Sequence, residues 1–369
     1  MKKRLGREWV LTCNYKLIGN EFMNRKNFLS SVVPLAVSVA ASAKGKNIIN
    51  KNNPLPGEDI VHKIPPYLKA GDTIGITCPS GYISPEDVQP AVDKMKEWGF
   101  NIRLGDTVGA KDYTFAGCDE ERARDFQNMI DDPSIKAVML GRGGYGAVRI
   151  IDKINFKKFA ARPKWIIGFS DATVFHSHIN KNYGIATIHS KMCNSFPADF
   201  GNATPLQIDS IDSIRKCLLG YHMQYTAVPN YNNRPGTAEG ILVGGNLSIL
   251  QNLAATKSDI STVGKILFIE EVEEYLYSID RMLWNLKRGG KLENLKALVV
   301  GGFDNIKPDD PGEDFGKTVY DMVLEKVNEY HYPVCFDFPV GHQRENYALK
   351  CGIKHRLTMS GDSILLNEV

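Results

Sequence analysis

At 369 residues, 43% hydrophobic and 24% charged, the chain can build two ordinary domains with separate cores and carries no low-complexity tract. Its net charge of +3 is uneven: residues 1–46 hold nine Lys/Arg against two Glu, leaving a mildly acidic body of 36 basic and 40 acidic residues, which argues against a nucleic-acid partner. Seven cysteines without a Cys-x-x-Cys pair or ligand-like spacing read as buried free thiols, not as a metal module or a disulfide framework.

The basic start has the form of an export signal. Met23-Asn24-Arg25-Lys26-Asn27 precedes an apolar run from Phe28 to Ala40 that closes on Ala41-Ser42-Ala43. The run is too short for a transmembrane helix, so residues 1–43 read as a signal region with Met23 as the working start. An exported, periplasmic protein without stable membrane insertion follows; the alternative is a cytoplasmic tail. Residues 44–66 are polar and punctuated by Pro54, Pro56, Pro65 and Pro66, the composition of a linker.

Strands and helices then alternate. Asp72–Cys78 is a buried-type strand; Ser84-Pro85 caps a helix whose apolar face is Val88, Val92, Met95 and Trp98, with Gly99 closing it. Asn101–Leu104 is a strand, Asp119–Asp131 a helix, and Ile135–Leu140 a strand running into Gly141-Arg142-Gly143-Gly144-Tyr145-Gly146. A short helix over Ala147–Ile154, the strand beginning at Trp165, a helix over Ala172–Asn182 and the strand Ile185–His189 complete a first domain, residues 67–194. This rhythm predicts an α/β fold with a mainly parallel, flavodoxin-like sheet covered on both faces. From 195 to 237 Pro, Asn and Gly cluster and periodicity fades, so this reads as an interdomain bridge. A smaller α/β domain of swivelling type follows over 238–369, with strands at Ala238–Val243, Lys265–Val272, Ala297–Gly302, Ala348–Leu357 and Ser363–Leu366. Its helices are expected at Leu247–Ala255, Ile279–Arg288 and Lys317–Asn328.

Three chemically capable residues end strands, the edge where open α/β sheets build their sites. Ser170 closes Trp165–Phe169, with its hydroxyl at a strand end and its N–H near a helix start; it reads equally as a plain helix N-cap. Glu270 ends an apolar strand, with Glu271 as a rival because a one-residue slip reverses the face. His342 follows Pro339-Val340-Gly341 on a loop. A serine becomes a nucleophile when an imidazole takes its proton and a carboxylate orients that imidazole. The glycine loop lacks the acidic residue that a dinucleotide site places about 20 residues on. It reads either as a tight turn or as an oxyanion donor, with Gly143 and Gly144 beside Ser170 and the N–H of Asp171 as the second donor.

Gly141-Arg-Gly-Gly-Tyr-Gly146, Ile167-Gly-Phe-Ser-Asp171, Thr187-Ile-His-Ser190, Glu239–Leu247, Leu267-Phe-Ile-Glu-Glu-Val272 and Phe338-Pro-Val-Gly-His342 together resemble, in order and spacing, the motifs of the LD-carboxypeptidases. That family of serine peptidases includes muramoyl-tetrapeptide carboxypeptidase and the microcin C immunity proteins. The resemblance runs from about Ile74 to Leu357; Ser190 departs from it, standing where the family commonly has Gly. It implies a triad of Ser170 as nucleophile, Glu270 as orienter and His342 as general base, a site between two domains, and a homodimer. It also implies hydrolysis of the amide before a terminal D-amino acid in a murein peptide, with no metal or organic cofactor. Arg142 and Arg281 are candidates to bind the substrate carboxylate, because a planar guanidinium matches it. Competing readings are an immunity-type hydrolase of peptidyl-nucleotide antibiotics and a non-catalytic binder of cell-wall peptides.

Overall fold

Short apolar runs bounded by turn residues can hide both faces only at the centre of a sheet, and that is where β1 (Thr73–Thr77), β3 (Ile135–Leu140) and β4 (Trp165–Gly168) lie. A computed structural model describes residues 62–369 apart from Asp362; the expected export signal lies outside the described residues. Among the described residues no helix is long and apolar enough to cross a membrane.

In chain order, β1 is followed by α1 (Pro85–Glu97), β2 (Asn101–Leu104), α2 (Asp119–Asp131), β3, α3 (Ala147–Ile150), α4 (Lys157–Ala161), β4, α5 (Thr173–Tyr183) and β5 (Thr187–His189). The local signals hold. Ser84 accepts the N–H of Asp87 at 3.1 Å with Pro85 in the first turn, and α2 begins and ends at the expected residues. Residues 205–218 depart from the expected bridge: they form α6 (Pro205–Leu218), which buries Ile211, Ile214, Cys217 and Leu218. Its start is written in the chain as the capping box Thr204-Pro-Leu-Gln207.

The second half runs β6 (Gln224–Thr226), β7 (Gly236–Asn246), α7 (Leu247–Asn252), β8 (Ile266–Val272), α8 (Leu276–Arg288), β9 (Ala297–Asp304), α9 (Val319–Lys326), β10 (Val334–Cys335), β11 (Leu349–Cys351), β12 (Lys354–Ser360) and β13 (Ser363–Glu368). The first sheet has the order β11-β5-β4-β3-β1-β2, parallel except for β11; the second is β10-β9-β8-β7-β12-β13-β6, parallel from β10 to β7 and antiparallel beyond. The α/β class and the division into two sheets are therefore as expected. The strand expected over 348–357 is in fact two. Gly352, at φ +86°, turns the chain so that β11 closes the first sheet and β12 enters the second.

Alternation along β4 sorts the cores. Trp165 and Ile167 join Ile74, Leu242, Phe268, Val299 and Leu349 in one apolar cluster that draws on both sheets, whereas Ile166 faces Phe126, Phe159 and Phe175. A third cluster, including Leu267, Ile269, Leu283 and Met322, backs the second sheet. Polar ties reinforce the shared cluster. Lys350 of β11, fully buried, pairs with Glu368 of β13 at 3.0 Å and donates to the carbonyl of Tyr221 at 2.9 Å. At the carboxyl edge of β7, the N–H of Asn246 donates to Thr173 Oγ1 at 3.1 Å, so the start of α5 is seated against the second sheet.

Candidate active site

β4 ends at Gly168 and Ser170 opens a single 3-10 turn that leads into α5. Ser170 sits at φ +61°, left-handed for a non-glycine residue, a conformation that costs on the order of 1 kcal/mol or more and aims the half-buried side chain out of the strand–helix joint. Asp171, almost fully buried, holds this elbow: its Oδ2 accepts Ser80 Oγ at 2.5 Å and the N–H of Ala147 at 2.8 Å. The elbow, the β1–α1 loop and the glycine loop are thus one unit. Arg122, buried without exposure, braces the same unit by donating to the carbonyls of Pro79 and Gly146 at 2.5 and 3.1 Å.

The glycine loop lies directly against the elbow. A Cβ on Gly143 would stand 3.1 Å from Ser170 Cβ and 3.2 Å from its Oγ, so only a glycine leaves the hydroxyl unobstructed. The carbonyl of Gly143 accepts the N–H of Gly81 at 2.9 Å, and Gly144 follows at φ +95°. Arg142 is exposed and donates to the carbonyl of Tyr82 at 3.0 Å. Arg281, on α8, has its guanidinium over the Tyr277 ring and donates to Ser278 Oγ at 3.2 Å. Neither arginine lines the cavity beside His342.

From the second sheet, β8 delivers Glu270. Alternation along β8 sends the two neighbouring carboxylates to different tasks: Glu270 follows Ile266 and Phe268 toward the cluster shared by both sheets, and Glu271 follows Leu267 and Ile269 toward the other face. Glu270 is fully buried, and its Oε2 lies 2.6 Å from Nδ1 of His342. Glu271 instead accepts Asn246 Nδ2 at 2.8 Å and the N–H groups of Ser248 and Val272 at 2.7 and 2.9 Å, tying down the start of α7. Gly341 lets the His342 loop approach: a Cβ there would lie 2.6 Å from Glu270 Cβ. The His342 ring packs 4.8 Å, centroid to centroid, from Phe169, the residue before Ser170. The structure therefore joins Glu270 to His342 and sets the His342 ring beside the residue that precedes Ser170.

Electrostatics suit a proton relay. Burial works to raise the Glu270 pKa, but the His189 and His342 imidazoles outweigh it and hold the carboxyl at about 2. Burial alone would depress His342; its hydrogen bond to Glu270 and the negative charge there raise it above the ordinary imidazole value. His189, which carried no role in the sequence reading, is fully buried with Nε2 3.8 Å from Glu270 Oε1, too far for a direct hydrogen bond but close enough to bias the charge. Behind it, His176 bonds the carbonyl of Gly168 through Nε2 at 2.8 Å and is kept neutral by burial and by neighbouring His189, with its pKa down at about 3. The signal that could have pointed to His189 is topological: β5 neighbours β4, so a polar run leaving its carboxyl end must border Ser170.

Beside His342 opens a cavity of about 230 Å³ lined by Lys191, Ser195, Gln207, Asp304, Gln343 and Arg344, among others. An imidazole held by a buried carboxylate can take and return a proton when a hydroxyl attacks a carbonyl.

Family models of the LD-carboxypeptidase N-terminal and C-terminal domains match residues 74–190 and 239–357. The chain belongs to the LD-carboxypeptidase family. It is 33% identical to a probable murein peptide carboxypeptidase of Bacillus subtilis over 79% of this chain and 90% of that one. The solved structure of muramoyltetrapeptide carboxypeptidase from Oxalobacter formigenes superposes with a TM-score of 0.72 at 30% identity, covering 80% of this chain and 98% of the other. The microcin C7 self-immunity protein MccF of Escherichia coli is 24% identical over 82% of this chain and 94% of its own.

Proposed function

We propose that this LD-carboxypeptidase family member is a serine-type hydrolase that cleaves the amide between an L-centre and a C-terminal D-amino acid, releasing D-alanine from a murein tetrapeptide. One observation carries the reading: the Glu270–His342 pair, 2.6 Å apart, has its imidazole packed on Phe169, next in the chain to a serine at a strained strand–helix elbow. Because Glu270 occupies Nδ1, the remaining ring nitrogen, Nε2, serves the serine. It takes the Ser170 proton as Oγ attacks the peptide carbonyl, and the oxyanion is met by N–H groups of the Gly143–Gly144 turn and of Asp171. The C–N bond breaks as Nε2 returns its proton to the leaving amine. The resulting acyl-enzyme on Ser170 is hydrolysed by a water that His342 deprotonates in turn. Glu270 stays ionised throughout and supports the transient imidazolium.

The first test is Ser170→Ala, with D-alanine release from a defined muropeptide panel followed by mass spectrometry. Release by wild type and loss of several orders of magnitude in the variant is expected; equal release by both, or none by wild type, defeats the reading. The likeness to MccF supports a second reading, an immunity-type hydrolase of peptidyl-nucleotide antibiotics, which the same assay separates when such a conjugate is added to the panel. Export through residues 23–43 and a homodimer belong to the proposal too. Cell fractionation and sedimentation velocity test them.

A further inference from the structure

The segment after β5 is pinned across the carboxyl ends of two strands: the N–H of Ser190 donates to the carbonyl of Gly168 at 3.0 Å and that of Asn194 to Gly141 at 3.1 Å. Between these anchors, neighbouring side chains part company. Met192 goes to the oxyanion side, its Cε 3.2 Å from where a Cβ on Gly143 would be. Lys191 goes to the other side, its Nζ 3.0 Å from the carbonyl of Gln343, the residue after His342. Lys191 lines the 230 Å³ cavity together with His342 and Arg344.

The reaction dictates what should lie there. With Nδ1 bound to Glu270, the proton for the leaving amine comes from His342 Nε2. In a terminal amino acid the carboxylate is attached to the carbon that bears that amine, so the anion must come to rest within a few ångströms of the same imidazole. A cavity of this volume has room for one small amino acid. An ammonium has three N–H donors and the Gln343 carbonyl takes one, so Lys191 retains two for a carboxylate. Burial lowers its pKa, and the acids that oppose this are Glu345 and Asp304. Arg344, exposed at the rim, is a second cation facing the same space.

We propose that Lys191, with Arg344 at the rim, forms the carboxylate-recognition subsite for the leaving amino acid and so confines the enzyme to substrates with a free α-carboxylate one residue beyond the scissile bond. This rests on the carboxypeptidase reading above and assigns to Lys191 what the sequence reading placed on Arg142 or Arg281.

The experiment compares wild type, Lys191→Met and Lys191→Arg on the murein tetrapeptide and on the same peptide ending in a carboxamide. Wild type should favour the free acid. Lys191→Met should lose about 10- to 100-fold in kcat/KM on the acid, mainly through KM, and much less on the amide; Lys191→Arg should recover part of the loss. A purely structural role, through the Gln343 carbonyl, would lower both substrates alike and so overturn the proposal, as would a wild type indifferent to acid and amide. Binding of D-alanine and of D-alaninamide to each variant, followed by NMR, needs no turnover. If wild type cleaves neither peptide but binds D-alanine in a Lys191-dependent way, the carboxypeptidase reading fails and the anion subsite stands. Cleavage with an unchanged acid-to-amide ratio in Lys191→Met strikes the subsite alone.

Discussion

Glu270→Gln is the substitution that tests the site most directly, because it keeps the shape of a fully buried side chain and removes only its charge. The drop of the Glu270 pKa from an ordinary 4.5 to about 2 corresponds to roughly 3 kcal/mol of net stabilisation of the carboxylate, contributed by His189 and His342 against burial. His342 receives its share back as a raised pKa and as support for the imidazolium formed during proton transfer. A neutral amide returns neither, so kcat should fall by roughly 100- to 1000-fold with KM little changed. The acidic limb of the kcat/KM profile, which reports His342, should also move to lower pH, since burial then acts on the imidazole against the more distant Glu271 charge alone. The assay is D-alanine release from tetrapeptide between pH 4.5 and 9. Stability carries the same signature. Glu270, with its lowered pKa, contributes fully above 4.5 and loses that contribution as pH falls through about 2. His342, with its raised pKa, contributes fully below 6.5 and loses its contribution as pH rises through its folded value. The stability gap between wild type and Glu270→Gln should therefore be widest between about pH 4.5 and 6.5. A variant with wild-type kcat, an unmoved acidic limb and a gap independent of pH would refute the coupling of these two residues.

Three further outcomes follow from the geometry. Ser170→Gly should be more stable than Ser170→Ala by about 1 kcal/mol, because glycine relieves the φ of +61°; thermal melts of the two inactive proteins check this, and equal midpoints would mean that the elbow is unstrained. Gly143→Ala places a methyl 3.2 Å from Ser170 Oγ and should cut kcat by at least tenfold while leaving the melting midpoint within a few degrees; full activity would remove this loop from the site. Lys350→Met leaves Glu368 buried without its partner and should cost about 3–5 kcal/mol in denaturant unfolding, most of it recovered when Glu368→Leu is added; a double variant no better than the single one would show that the pair is dispensable.

Much of the site was legible because its signals are local. The joint from Trp165 to Thr173 reads as strand then helix from composition alone, and the glycine loop follows an apolar run directly. The caps of α1 and α6 are likewise encoded within four residues, although at α6 the surrounding Pro, Asn and Gly obscured the Thr204–Gln207 box. Other features depend on neighbours distant in sequence. Periodicity could not choose between Glu270 and Glu271, because which face of β8 meets the first sheet is decided by the packing of the two sheets. Arg142 and Arg281 have suitable chemistry, yet their surroundings, Tyr82 and Tyr277, are set by packing.

The amino-acid order alone determined most of the strands and helices, and that Ser170 would follow a strand and Glu270 lie near the end of another, since caps, apolar runs and turn glycines act over a few residues. His342, expected at a strand end, lies on the loop between β10 and β11. Only the tertiary structure decided that β11 and β12 belong to different sheets, that Glu270 and not Glu271 meets His342, and that His189 and Lys191 border the cleft. Those outcomes depend on contacts between residues far apart in the chain. Their free energies come from burial and charge pairing, and both exist only once the two sheets share a core.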